Sequence, residues 1–415
     1  MSSERGASCV RINQESNLCC HCTPYEGRSR DMLRGDLPQH FVFVVGYEPW
    51  LLPPLCELGS ALAARGHTVS IVYLGNQPNP GDRIANVAFA NVFRPRGSVR
   101  ILAPLVLARA VKDLLDSTSE DRVVIGCDPL ALQAMRRSGV AMTKMCGYWA
   151  FEINDITRSP FFTGSGYRSR RLPEWLRKID FLLAPSQSRL NQLLKQVDRP
   201  VRSQVILNSR RLVNRRCENT VPFRYQPMGR PTILMIHSGR VSETQQVGAM
   251  VESLRLLPPN VGLIVAGPTQ RDYRERLLKQ SITSGVDGRF SLLERLSRSE
   301  LDMVLRHCQI GFVLYDKGKT GDVADPAPNK ISDYASHGLA MVGTRQPYIR
   351  EWLETRGCGV CVDEPTASAI ASAVATLLDG EALTRARRAA LDAAASELNM
   401  DAQASKLLAL LESLT

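Results

Sequence analysis

The chain has 415 residues, 44% of them hydrophobic and 22% charged, with a formal charge of +11. That composition is globular, long enough for two domains of about 170 to 200 residues each, and no apolar run approaches the ~20 residues that a spanning helix needs. The positive balance suits phosphorylated small molecules, anionic lipid headgroups or nucleic acid, but no zinc-finger spacing, helix-turn-helix pattern or RNA-binding aromatic signature supports the last of these.

Residues 1–37 mix charge with Gly, Ser and Cys without periodicity and are expected to form a poorly ordered extension. Met1 to Ala7 contain Glu4 and Arg5 with no apolar segment after them, so a secretory signal is not expected. Within this stretch Cys19-Cys20-His21-Cys22 has metal-ligand residue types but lacks a second pair at zinc-finger spacing, so no metal is expected there. Cys56, Cys127, Cys146 and Cys308 lie in apolar stretches, where a reduced thiol packs as a small hydrophobe, and this fits a cytoplasmic address.

The fold is expected to begin near His40. Phe41-Val42-Phe43-Val44-Val45-Gly46 reads as a fully buried parallel strand. Leu55, Leu58 and Leu62 then recur at helical spacing, Gly66 stops the helix, and residues 69–73 form a second strand, completing a βαβ unit. Further strands are predicted at 122–127, 143–148, 180–184 and 201–207. The basic residues Arg168, Arg170, Arg171, Arg177 and Lys178 fit either a solvated helix face or a patch for peripheral contact with the inner face of a membrane.

Between 208 and 231 the pattern lapses, as in a linker. Six more strands are predicted at 233–236, 261–266, 289–293, 310–315, 341–343 and 360–362, and residues 401–414 form an amphipathic helix able to pack back. The expected division is therefore an extension (1–37), an N-terminal Rossmann-like domain for the acceptor (38–208), a linker (209–230), a C-terminal Rossmann-like domain for a nucleotide (231–398) and a returning helix (399–415). The fold class is α/β, with two doubly wound parallel sheets facing across a cleft.

Gly46-Tyr47-Glu48-Pro49 offers one glycine where a dinucleotide fingerprint needs three, which argues against hydride transfer. Attention moves to the segment from Asp325-Pro326 through Pro328-Asn329-Lys330 and Asp333 to Gly338-Leu339. Pro328 suits a first helical position, so the amides near Asn329 and Lys330 can meet an anion, with Lys330 adding a positive charge. A diphosphate is the expected guest.

From about residue 40 to 412 the sequence resembles the group 1, or family 4, glycosyltransferases of the GT-B fold. Their signature has two acidic residues in the register of Asp325 and Asp333, the first followed by Pro and the second five residues before Gly-Leu; this chain has Asp where Glu is usual. The resemblance implies that Asp325 holds donor-sugar hydroxyls, counted with the catalytic groups, and that Asp333 holds the ribose. Ser238-Gly239-Arg240 resembles the loop whose arginine grips the donor diphosphate, with Gly239, Asn329 and Lys330 beside it. Gln246 replaces the family's lysine, and Lys330 is expected to compensate. Leu292 and Leu293 fall where such enzymes contact the base.

In the first domain, residues 147–155 end a strand with carboxylates at the presumed cleft. Glu152 is the candidate acid or base and Asp128 the reserve, while Gly46, Tyr47 and Asp155 mark the acceptor region. The implied activity is transfer of a sugar, of hexosyl type and with retention, from a UDP- or GDP-sugar co-substrate to a hydroxyl of a saccharide acceptor. The acceptor could be lipid-linked, as in surface polysaccharide or glycoconjugate assembly, and neither metal nor other cofactor is expected. Retention would leave the proton to the departing phosphate, whereas inversion would make Glu152 a general base. A nucleotide-sugar epimerase or a non-catalytic nucleotide-sugar-binding protein would suit the same scaffold.

Overall fold

The computed structural model describes residues 39–78, 83–93, 102–117, 122–139, 145–151, 165–212, 227–316 and 326–414, with backbone alone for 165–170. Its N-terminal part is a seven-stranded sheet: β1 (His40–Val45), β2 (Thr68–Leu74), β3 (Val87–Val92), β4 (Arg122–Gly126), β5 (Met145–Trp149), β6 (Phe181–Ala184) and β7 (Arg202–Val205). The spatial order is β3-β2-β1-β4-β5-β6-β7, and every pairing is parallel. The helices are α1 (Pro53–Ala63), α2 (Ala103–Asp116), α3 (Pro129–Ser138), α4 (Ser165–Leu176) and α5 (Gln187–Leu194).

The C-terminal part repeats the design with β8 (Ile233–Ser238), β9 (Val261–Ala266), β10 (Phe290–Leu293), β11 (Ile310–Val313), β12 (Ala340–Thr344) and β13 (Gly359–Val362), in the order β10-β9-β8-β11-β12-β13, again all parallel. Its helices are α6 (Val247–Ser253), α7 (Arg271–Thr283), α8 (Arg298–Leu305), α9 (Lys330–His337), α10 (Pro347–Arg350), α11 (Ala367–Leu378) and α12 (Ala382–Ser396), followed by α13 (Met400–Glu412). The molecule is thus α/β with two doubly wound parallel sheets.

Burial explains why the strands read as apolar runs. All six residues of β1 and of β9 are buried, because helices cover both faces of a parallel sheet. Strand β3 escaped the sequence reading for the converse reason: it is an edge strand whose residues are half-buried or exposed, so no unbroken run marks it.

Two chain crossings join the halves. Segment 207–211 leaves β7 and docks on the C-terminal part, where Asn208 Nδ2 donates to the Ala327 carbonyl at 2.8 Å and the Arg210 amide donates to Ser332 Oγ at 3.0 Å. The chain returns beside it, the Met400 amide donating to the Arg210 carbonyl at 2.9 Å. Helix α13 then buries Met400, Ala404, Leu407, Leu410 and Leu411 in the core that contains β1 and α1. The C-terminal residues therefore complete the hydrophobic core of the N-terminal sheet, and the hinge is a pair of adjacent strands of chain.

Candidate functional site

The centre of the site is the ends of β8 and β11 with the start of α9. Gly311 in β11 lets α9 lie close to the sheet, since a Cβ there would come within 2.3 Å of the Tyr334 ring. Across that contact Tyr334 Oη accepts from the Ser238 amide at 3.0 Å, tying the helix to the end of β8. The following residue, Gly239, has φ 113°, a conformation that disfavours a side chain. Its carbonyl would lie 1.7 Å from a Cβ on Gly267, so the turns after β8 and β9 touch backbone to backbone.

This packing brings α9's first residue to the β8 turn: an ideal Cβ on Gly239 would lie 3.9 Å from Lys330 Nζ. All eight residues of α9 are buried, and Lys330 is only 8% exposed. Its Nζ donates to Gln245 Oε1 at 2.9 Å and sits 5.4 Å from the centroid of the Tyr315 ring. Burial pushes its pKa down to about 7, against a weaker opposing pull from Asp333. Relative to a solvated lysine, that is a penalty of about 5 kcal/mol on the charged form. A unit negative charge about 4 Å away in a partly screened site offsets about 4 kcal/mol. An anion at that distance favours the ammonium.

Of the amides of α9's first turn, those of Ile331 and Asp333 donate to the Pro328 and Asn329 carbonyls at 3.4 and 3.1 Å, and the helix start as a whole adds positive potential beside Lys330. Arg240, next after Gly239, is exposed, and its guanidinium makes no ion pair with a described residue. His237 donates from Nε2 to the Arg240 carbonyl at 3.1 Å, and burial, then the nearby Lys330 charge, hold its ring neutral with a pKa well below the usual histidine range.

One turn along α9, Asp333 faces the hinge. Its Oδ1 accepts from Arg298 Nη2 at 2.9 Å and lies 3.5 Å from Arg210 Nη1. Arg210 is itself held by Asp302 through two bonds of 2.7 and 3.0 Å. A capping box between Ser297 and Glu300 starts α8 and sets Arg298 at its first position. The same guanidinium lies 3.6 Å from Glu57 of α1, so the pair spans the two halves. Pro53, Glu57, Asn208, Arg298, Asn329 and Asp333 line a small crevice there. His337 packs behind it, with Nδ1 2.8 Å from the Asp333 carbonyl.

The structure thus gathers Gly239, Asn329, Lys330 and Asp333 around one end of α9, with Arg240 next in the chain after Gly239. Glu152, Asp155 and Asp325 lie outside the described residues, as does the Cys19–Cys22 cluster. Asp128 caps α3: Oδ1 accepts from the amides of Leu130 and Ala131 at 2.7 and 2.9 Å, and Oδ2 from that of Gly46. Gly46 is a glycine because a Cβ there would come within 2.9 Å of the same carboxylate. Half-buried Tyr47 follows it on the rim of that core. Leu292 is buried in the core, its carbonyl accepting from Arg274, and the Leu293 carbonyl accepts from the Gly267 amide at 3.4 Å. The sequence gives no local sign of the parts played by Gln245, Arg210, Asp302 and Glu57, whereas for Arg298 the capping pattern at Ser297 was an available signal for its place at the start of α8.

With this geometry in hand, residues 226–397 match the family model for glycosyl transferases group 1. The matched segment is the C-terminal sheet with its helices, including β8 and α9. No curated protein matches the sequence. Among solved structures, Anabaena HepE in complex with UDP and glucose is similar at a TM-score of 0.67 and 16% identity, over 90% of this chain and 100% of that one. Sucrose-phosphate synthase from Thermosynechococcus elongatus gives 0.68 and 13%, over 91% and 99%. A glycosyltransferase from Rickettsia africae gives 0.65 and 14%, over 91% and 98%. At such identities the likeness is one of fold, and the fold is GT-B. The site described above lies almost wholly inside the matched residues 226–397, with Glu57 and the 208–210 segment added from outside them. Among the described residues, no helix is long and apolar enough to cross a membrane.

Proposed function

We propose that the protein transfers a sugar from a nucleoside diphosphate sugar, with UDP as the first base to test, to an acceptor hydroxyl. The observation that carries this reading is the meeting of Lys330 with the Gly239 turn at the amino end of α9. A buried amine and a helix start meet the turn that carries the exposed Arg240, where a diphosphate would be neutralised, within the segment that matches the group 1 model. UDP takes first place because the structural relative HepE is a complex with UDP and glucose.

In this reading Arg240 and Lys330 bind the diphosphate, the ribose hydroxyls donate to Asp333, and Asp325 receives hydroxyls of the sugar. The bond from the anomeric carbon to the phosphate oxygen breaks and one to the acceptor oxygen forms. The positive cluster stabilises charge growing on the leaving diphosphate. With retention, that phosphate takes the acceptor's proton; with inversion, Glu152 takes it.

The test is calorimetric titration with UDP, GDP, ADP and TDP, followed by assay of sugar release from the tightest nucleotide's sugar conjugates with and without acceptors. Binding of one diphosphate and acceptor-dependent release support the proposal. Absence of binding to all four overturns it, and a rearranged free nucleotide sugar without transfer would make the protein an epimerase instead.

A further inference from the structure

The contact between Lys330 and Gln245 is not used by the donor-binding reading as it stands. Gln245 belongs to a short 3-10 turn, Glu243–Gln245, between β8 and α6, and is 9% exposed. Two backbone bonds set that turn in place: the Gln245 amide donates to the Ser242 carbonyl at 3.2 Å, and the Asp316 amide, beyond β11, donates to the Thr244 carbonyl at 3.0 Å. The next residue, Gln246, is left-handed at φ 57°. For a residue with a side chain this conformation costs about 1 kcal/mol, and it reverses the chain so that α6 can start while Gln245 points inward. A strained turn pinned to a neighbouring loop thus delivers a single amide oxygen to a single amine.

The surroundings of Lys330 show why that oxygen matters. Toward it face His237 of β8, neutral and engaged with the Arg240 carbonyl; Tyr315, which offers its ring; and, on its own helix, Asp333, whose carboxylate is engaged by Arg298. None of these supplies a counter-ion in contact with Nζ, and Gln245 Oε1 is the acceptor that fixes where the amine rests.

We propose that Gln245 is a positioning residue for the diphosphate clamp: its side-chain oxygen holds Lys330 Nζ beside the Gly239 turn in the empty site and cedes that bond to a donor phosphate oxygen. This rests on the nucleotide-sugar reading above. A neutral amide suits the task because it satisfies a buried donor without neutralising it, so an anion still outcompetes it. A carboxylate at the same place would pair with the amine and repel the diphosphate. This assigns Gln245, rather than Gln246 in the place of the family's lysine, as the residue that serves the clamp.

The experiment compares wild type, Gln245→Leu and Gln245→Glu by two readouts: the titration of the Lys330 side chain followed by NMR, assigned with Lys330→Arg, and UDP affinity by calorimetry at about pH 6 and about pH 8.5, on either side of the amine's titration. Loss of the acceptor in Gln245→Leu should move the Lys330 midpoint down by about one pH unit and weaken UDP by about tenfold at the higher pH but only about twofold at the lower. Gln245→Glu should raise the midpoint and weaken UDP by tenfold or more at both, on the order of a charged contact. An unchanged midpoint in both variants, or an equal loss of affinity at both pH values in Gln245→Leu, overturns the proposal as a mere packing effect. If Gln245→Leu does not fold, the isosteric Gln245→Glu decides through the midpoint alone. Failure of wild type to bind any nucleoside diphosphate would instead sink the underlying reading, which separates the two failures.

Discussion

Arg298 Nη2 bonds Asp333 at 2.9 Å while standing 3.6 Å from Glu57 in the other half of the molecule. One guanidinium therefore sits between a carboxylate of α9 and a carboxylate of α1. Its side chain is 38% exposed, so solvent screening leaves the Glu57 contact worth at most about 1 kcal/mol, enough to bias the cleft but not to lock it. The bond to Asp333 is less exposed, and it leaves Oδ2 without a described donor, ready to accept from a hydroxyl.

That free oxygen gives a test of the ribose assignment. Asp333→Asn should weaken UDP by about ten- to a hundredfold, the range of a hydrogen bond to a charged group, while leaving inorganic pyrophosphate affinity within about twofold. Parallel calorimetric titrations with the two ligands decide. Equal losses for both would move Asp333 from ribose contact to general support of the site.

Arg240 allows a cleaner separation of binding from stability. Being exposed and unpaired among the described residues, its replacement in Arg240→Ala should change the unfolding free energy by less than about 0.5 kcal/mol. UDP affinity should nonetheless fall by about tenfold or more, since a charge-assisted bond to phosphate is lost. Denaturant melts alongside calorimetry check both, and retained affinity would remove Arg240 from the clamp.

Lys330 should show the opposite pattern. Its folded pKa is held down to about 7 by burial, below the ordinary lysine value of 10.5, so between these values the unfolded chain keeps a proton that the folded chain has released. Stability contributed by this group therefore rises with pH across that window, and below it the burial penalty is present in full. Lys330→Met should be more stable than wild type by a few kcal/mol at about pH 6, with the excess shrinking toward pH 10, and should lose UDP binding. Denaturant melts across this range carry the test; a variant less stable at low pH would show that the amine is fully compensated where it lies.

How much of this the sequence could reveal depended on whether neighbours in space are neighbours in the chain. Strand β9 was legible end to end because a strand buried on both faces must be apolar throughout, whereas the half-exposed β3 has no such mark. Residues 310–315 read as one strand although β11 ends at Val313, because Leu314 and Tyr315 stay buried after leaving the ladder. The end of α9 was legible because Pro328, Asn329, Lys330 and Asp333 are local to one segment. The pairing of Lys330 with Gln245 joins residues 85 apart, and that of Arg210 with Asp302 joins residues 92 apart. No periodicity encodes such meetings; only the folded sheet order brings them about. Arg210 in particular reads as linker composition, since nothing local says that a hinge segment will be buried.

The buried Arg210–Asp302 pair predicts how the hinge fails in acid. Burial raises the Asp302 pKa, but the hydrogen bond from Arg210 and the charges of Arg210 and Arg298 outweigh it, so the carboxyl titrates below its usual range. A group of this kind stabilises the fold above its unfolded pKa of about 3.9, and the contribution disappears as pH falls through the lower folded value. Asp302→Asn should therefore cost about 2 to 4 kcal/mol at neutral pH, somewhat moderated by the Asp333 carboxylate 3.5 Å from Arg210. The difference from wild type should shrink once pH falls below the unfolded value and vanish only below the lower folded one, where both carry a neutral group at this position. Urea melts of the two proteins at neutral and acid pH measure it, and a difference that persists unchanged in acid would mean that Asp302 supports the hinge by packing rather than by charge.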